Sequence, residues 1–127
     1  MSALVVDTSS WISYFAERGG TGLVEEALAE GRVHLPPVVA AELLSGKLRA
    51  ADRADLEDLL ADLPLCGADR RHWFRVGSLR ASLLSRGLSV STPDAHVAQC
   101  ALDLGASLLT EDRVFRAMAR HLPLTLI

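Results

Sequence analysis

Cysteine is scarce in this chain of 127 residues: Cys66 and Cys100 are the only two. They lie far apart in sequence and neither has a partner at metal-ligand spacing, so reduced, semi-buried thiols without an assigned function are expected. Long apolar runs are missing as well, although 50% of the residues are hydrophobic. The longest, Leu35 to Leu44, is interrupted by Glu42 and falls far short of the roughly 20 residues that span a bilayer. The start, M-S-A-L-V-V-D, has none of the basic residues of a signal peptide, and a cytoplasmic protein is expected. Lysine is nearly absent. Lys47 is the only one among 13 basic residues, the rest being Arg, a bias that suits phosphate recognition but has genome base composition as its simplest cause. There is no strong excess of positive charge, since 16 acids face those 13 bases for a net charge of −3, which speaks against a general nucleic-acid binder. Setting four of the 16 acids aside for a metal leaves 12 against the 13 bases, so the remaining surface would be neutral to slightly basic. No internal repeat, linker or low-complexity segment is seen. Gly19-Gly20-Thr21-Gly22 is a flexible turn and not a phosphate loop, because no strand precedes it and no Gly-Lys-Ser/Thr follows. A single domain over residues 1–127 is expected, burying roughly two-thirds of the surface of the unfolded chain.

What the chain does carry is concentrated between Thr92 and Phe115. Thr92 suits an N-cap and Pro93 the first helical position, which puts Asp94 in the first turn. Stepping 3.6 residues per turn from Asp94 brings up Val97, Ala98, Ala101 and Leu102, while His96, Gln99 and Asp103 turn the other way. Gly105 ends the helix, and Ala106–Leu109 is a short apolar run of the kind found in buried parallel strands. Thr110, Glu111 and Asp112 follow at that strand's carboxyl end. The amino-terminal segment repeats the pattern: Ala3–Val6 is a β-favouring run, Asp7 stands at its end, and Thr8, Ser9 and Ser10 can all cap the helix that carries Trp11, Ile12 and Phe15. Ligands of open α/β sheets gather at the carboxyl ends of strands, so Asp7 and Asp112 stand where chemistry is done; the bland alternative is that these acids only favour helix N-termini, each by about 0.3–1 kcal/mol.

The rest supplies the frame and one more acid. Leu23, Ala27 and Leu28 mark a short amphipathic helix with Glu25, Glu26 and Glu30 on its wet side, and Val33–Leu35 a strand closed by Pro36 and Pro37. Val38–Ser45 reads as a helix whose sole charge, Glu42, falls between Val38 and Val39 on a side that should be packed. A buried, unpaired carboxylate costs several kcal/mol or holds a proton, so Glu42 needs a partner, and no base at helical spacing provides one. Ala50–Leu63 is an amphipathic helix with Leu56, Leu59, Leu60 and Leu63 inward and its acids solvated. Pro64–Cys66 is a marginal strand. Asp69 caps a longer helix with Trp73, Val76, Leu79, Leu83 and Leu84 on one side and Arg70, Arg71, Arg75, Arg80 and Arg86 on its wet surface, where they are also candidate RNA-phosphate contacts. Phe115, Met118 and Leu122 pack inward before a last strand, Leu124–Ile127. The order is mainly βα repeated, which predicts an α/β fold of three layers, a mainly parallel sheet of about four or five strands between helices.

Such a fold can bring Asp7, Glu42, Asp94 and Asp112 together. At an effective dielectric of about 20, two unit charges about 6 Å apart repel by nearly 3 kcal/mol, so protons or a cation must relieve the cluster. An all-oxygen donor set suits hard Mg²⁺ or Mn²⁺, one or two ions, and disfavours zinc. Such ions complete their coordination with water and phosphate oxygens, which points to phosphodiester chemistry. Ser9 and Thr110 would orient the carboxylates or waters. His96 points away from Asp94 on the helical wheel and is expected at the surface, not as a general base; His34, His72 and His121 have weaker claims.

The segments L-V-V-D-T-S-S-W-I, P-P-V-V-A-A-E-L-L-S-G, S-T-P-D-A-H-V-A-Q-C-A and L-L-T-E-D-R-V-F, in that order across nearly the whole chain, resemble the PIN-domain ribonucleases, particularly the VapC toxins of type II toxin–antitoxin pairs. The resemblance implies a PIN-like fold and an Mg²⁺- or Mn²⁺-dependent endoribonuclease. Asp7, Glu42, Asp94 and Asp112 would form the catalytic, metal-binding quartet, with Ser9 and Thr110 as polar helpers. It further implies a homodimer, a cognate VapB-like antitoxin whose tail occupies the active-site groove, operator DNA bound through that antitoxin, and a structured cellular RNA, often tRNA, as substrate. His96 departs from the family, where an apolar residue is commoner, and Glu111 could share the role of Asp112. A competing expectation is a PIN-like binding module that chiefly partners an antitoxin on operator DNA with little turnover. An aspartyl-phosphate phosphatase fits Asp7 less well, because Ser9 stands where its second acid should be.

Overall fold

A computed structural model describes residues 2–18 and 21–127. The run Leu4–Val6 forms strand β1, all three residues buried, and so lacks the polar alternation of a half-exposed strand. Helices α1 (Thr8–Phe15) and α2 (Thr21–Ala29) lead to strand β2 (Val33–His34), and helices α3 (Pro37–Leu44), α4 (Ala50–Ala61), α5 (Arg70–Ser85) and α6 (Thr92–Leu104) follow in succession. Strand β3 (Ser107–Leu109), helix α7 (Val114–Ala119) and strand β4 (Thr125–Leu126) complete the chain. The four strands form one all-parallel sheet in the order β2-β1-β3-β4. With the seven helices, this is the expected mixed α/β fold.

Register carries the acids to one edge. Leu4, Val5 and Val6 pair with Ser107, Leu108 and Leu109. One step further, the Asp7 amide donates to the Leu109 carbonyl at 2.9 Å, so the residues after β1 and β3 leave the sheet side by side. The interior is filled by Trp11, Phe115, Leu83, Leu108 and Met118, all essentially without solvent contact. Burying each such side chain contributes about 1.5–3 kcal/mol.

Several elements depart from the sequence-based expectation. The N-cap of α6 is Ser91, not Thr92, and its hydroxyl accepts from the Asp94 amide at 3.2 Å. Pro93 therefore occupies the second helical position, where its missing N–H is equally harmless. Gly105 ends α6 in the left-handed region (φ 61°), as its position predicts. The marginal strand at Pro64–Cys66 is reduced to one bridge, Leu65 to Leu35, because Gly67 (φ 68°) turns the chain away immediately afterwards. In α5, Asp69 caps the helix through the His72 amide, and Val76, Leu79 and Leu83 are buried as expected; Trp73 and Leu84 are exposed, and His72 takes the inward place. The turn expected at Gly19–Gly22 falls partly on Gly19 and Gly20, which lie outside the described residues. Among the described residues no helix is long and apolar enough to cross a membrane.

Candidate functional site

The two strand ends and two helices bring four acids towards the carboxyl edge of the sheet. Asp7 is buried, and its Oδ2 accepts from Thr110 Oγ1 at 3.0 Å and Ser9 Oγ at 3.1 Å. It begins α1, yet its carboxylate makes no capping bond, so capping does not account for it. Burial raises its pKa; the bonds from Thr110, the Thr8 backbone and Ser9 pull the other way, and the charge of Glu42 adds to the rise. Asp94, half-buried in the first turn of α6, is also raised, first by burial and then by the charges of Asp112, Asp7 and Glu42, with the Ser91 hydroxyl opposing. One carboxyl thus senses the other three acids together.

Glu42 sits differently from its expected position. It is exposed, because α3 turns Val39 and Leu43 into the core and leaves the neighbouring side uncovered. Its partner is a hydroxyl: Thr8 Oγ1 donates to Glu42 Oε1 at 2.7 Å. Thr8 is a contact that sequence reasoning missed, since only its capping ability was considered. Asp112 is exposed, and its Oδ1 accepts from the Val114 amide at 3.0 Å, a bond at the start of α7 that keeps part of the capping role. Its own amide donates to Thr110 Oγ1 at 3.0 Å. Glu111 turns aside, its carboxylate taken by the Ser13 hydroxyl and its amide donating to Ser9 Oγ at 3.0 Å. Ser9 and Thr110, 3.5 Å apart, tie the two strand ends to Asp7.

The expectation of a surface His96 is overturned. His96 has no solvent exposure; its Nδ1 lies 2.6 Å from Nε2 of the equally buried His72, and the Trp73 ring stacks on it at 4.4 Å. Burial, followed by the neighbouring His72, lowers its pKa to about 4. The wheel failed because α6 packs on both the sheet and α5 and is buried on nearly every side from Ala95 to Ala101. The cysteines are free thiols, as expected, but Cys100 has unexpected neighbours. Both are buried and free, and Cys100 lies one helical turn from His96, its Sγ 3.9 Å from His96 Nε2. The i, i+4 spacing of His96 and Cys100 was the signal available. Among the described residues, His72, His96 and Cys100 form the one group of three such donors whose ligand atoms lie within 4.8 Å of one another; the four acids are set wider.

An all-parallel sheet with acids gathered beyond the carboxyl ends of its central strands defines an α/β protein of the kind that binds its ligand at that edge. The PIN-domain family model matches residues 4–121. A VapC ribonuclease of Mycobacterium bovis and Ribonuclease VapC11 of Mycobacterium tuberculosis are each 32% identical over 123 residues, covering 92% of this chain and 92% of theirs. Among solved structures, VapBC2 from Rickettsia felis, bound to a DNA fragment from its promoter, matches with a TM-score of 0.78 at 20% identity over 98% of this chain and 97% of that one. VapBC-5 from Mycobacterium tuberculosis, a member of the VapBC family of toxin–antitoxin systems, matches with a TM-score of 0.69 at 26% identity over 100% of this chain and 98% of that one. The chain belongs to the PIN-domain family and, within it, to the VapC proteins.

Proposed function

We propose that this chain is the toxin of a toxin–antitoxin pair, an endoribonuclease dependent on Mg²⁺ or Mn²⁺ that hydrolyses phosphodiester bonds of a structured cellular RNA, with tRNA the first substrate to try. The observation that carries the proposal is the field at Asp94, where the charges of Asp7, Glu42 and Asp112 act on one half-buried carboxyl. None of the ion pairs among the described residues involves any of the four acids, so no Arg or Lys relieves their repulsion. A hard divalent cation fits that all-oxygen donor set. When bound, it would neutralise phosphate oxygens and make a water molecule more acidic.

The chain's own residues hold the donors. Thr110 and Ser9 donate to Asp7 Oδ2, Thr8 to Glu42 Oε1, and the Val114 amide to Asp112 Oδ1. In three of the four acids one oxygen is thus fixed by a protein donor, which orients the carboxylate and leaves the second oxygen for a ligand. The names of the VapC ribonucleases support RNA as the substrate. The antitoxin is proposed as the partner on the same family grounds, with operator DNA reached through it and a homodimer as the assembly. A groove of about 440 Å³, lined by Phe15, Leu48, Leu56 and Leu59 with Asp52 and Asp55 beside them, suits an apolar antitoxin segment flanked by basic residues.

The test is cleavage of cellular RNA by the purified, antitoxin-free chain with Mg²⁺ or Mn²⁺. Asp7→Asn should lower the cleavage rate at least about 100-fold without unfolding the chain, and should abolish growth arrest on expression. Undiminished cleavage by that variant would remove the mechanism. Sequencing the 5′ ends that appear after brief induction identifies the RNA and the cut position.

A further inference from the structure

Between α5 and α6, remote in chemistry from the acidic edge, three soft-metal donors meet. His72 Nε2 lies 2.6 Å from His96 Nδ1, and Cys100 Sγ lies 3.9 Å from His96 Nε2. The imidazole planes are nearly perpendicular, at 86°. Cys66 is also buried, and it precedes Gly67 on the turn that faces these groups. Gly67 keeps the space between these groups open: a Cβ there would stand 2.6 Å from His72 Nε2, 2.7 Å from Cys100 Sγ and 2.7 Å from His96 Cε1.

The surroundings prepare His72 as a ligand. Its Nδ1 lies 3.0 Å from Asp103 Oδ2, so Nδ1–H donates to the carboxylate and the Nε2 lone pair faces the cluster. Asp103 is itself fixed, by Arg75 at 3.0 and 2.8 Å and by Gln99 at 2.8 Å. A carboxylate behind a histidine is the usual support of a zinc ligand. Trp73 closes the outside by stacking on His96.

We propose that His72, His96 and Cys100 form a structural Zn²⁺ site that pins α5 to α6, with Cys66, which precedes Gly67 at the cluster, moving in as the fourth ligand. Two imidazoles and one thiol are already gathered, and Cys66, in the spacing Cys66-x₅-His72 beside His96-x₃-Cys100, would complete the two-imidazole, two-thiolate set of tetrahedral structural zinc. Donors about 2.0–2.3 Å from such an ion are about 3.3–3.7 Å apart. His72 and Cys100 face opposite nitrogens of His96, so on binding the His96 ring must turn one nitrogen towards both and draw away from His72. The competing account is a dry network in which the imidazoles share a proton and the Cys100 thiol satisfies the other nitrogen of His96; no buried side-chain nitrogen or oxygen among the described residues lacks a partner. It leaves unexplained why two imidazoles, a thiol and a four-bond brace on Asp103 converge where apolar packing would serve.

Cobalt separates the two. The full chain, stripped of metal under reducing conditions and given one equivalent of Co²⁺, should show the intense visible bands of tetrahedral cobalt and a near-ultraviolet thiolate charge-transfer band. One equivalent of Zn²⁺ should abolish both and raise the melting temperature by about 5–10 °C. Asp7→Asn and Asp94→Asn should leave the spectrum unchanged, whereas Cys100→Ser should remove the charge-transfer band and His72→Gln should weaken binding at least tenfold. A weak octahedral spectrum lost in Asp94→Asn would overturn the proposal. So would an unaltered chain that shows no thiolate band, or one isolated with a Cys66–Cys100 disulfide that, once reduced, takes up no metal. The unaltered chain's spectrum decides even if a variant fails to fold, and the outcome is independent of whether RNA is cleaved.

Discussion

Asp94 shows what the acidic site costs the fold. Its pKa is raised by burial and by three neighbouring acids, so in the metal-free protein its contribution to stability is fully present below the ordinary value near 3.8 and is lost as pH rises through the raised one. Asp94→Asn removes that loss. The variant should melt higher than the parent chain at neutral pH, while losing RNA cleavage, and the difference should vanish below about pH 4. Melting curves in chelator across pH 3.5 to about 8 check this; a variant less stable than the parent at pH 7 would contradict the repulsion. Thr8 makes a second test. Among the described residues, its hydroxyl is the one side-chain donor that holds the exposed Glu42 carboxylate. Thr8→Val should therefore lower RNA cleavage by about tenfold, the value of one lost hydrogen bond to a charged group, with the melting temperature little changed.

Gly67 controls the seam between α5 and α6. It holds φ 68°, a conformation L residues rarely adopt, and faces the imidazoles and the Cys100 thiol too closely for any side chain. Gly67→Ala combines backbone strain with overpacking and should destabilise the metal-free protein by about 2–4 kcal/mol, read as a lower urea midpoint with an unchanged slope. A similar change at Gly87, which also has positive φ but nothing near its Cβ position, should cost less. The comparison separates crowding from backbone strain, because the strain is common to both.

The molecule presents its apolar surface unevenly. Ile12 and Phe15 on α1 are 50% and 44% exposed, and Phe15 borders the groove that also touches α4. If an antitoxin segment occupies that groove, Phe15→Asp should weaken its binding by about 10- to 100-fold, the range of an apolar anchor at an interface, and leave RNA cleavage by the free chain unaltered. Calorimetric titration with the cognate antitoxin, set beside a cleavage assay, measures both. Loss of cleavage without loss of antitoxin binding would move the groove's role elsewhere.

Local rules were enough for the frame. The buried run before Asp7, the cap and proline before Asp94, Gly105 after α6 and the apolar residues before Asp112 each announce an element end, and acids at element ends in a repeated βα order already imply one edge of a parallel sheet. Periodicity failed where its contrast vanished. Helix α6 is buried on nearly all sides, so the wheel could not tell the side of Asp94 from the side of His96. In α3 the apolar residues were too many to show which side stayed open, and Glu42 emerged exposed and paired with Thr8. The meeting of residues 72, 96 and 100 depends on how α5 lies against α6, a packing that no local rule fixes. The sequence by itself determined the order of the elements and the chain positions of the acids, because capping, turn chemistry and strand burial act within a few residues. Only the tertiary structure decided which faces are covered and which distant donors touch, because burial belongs to pairs of elements.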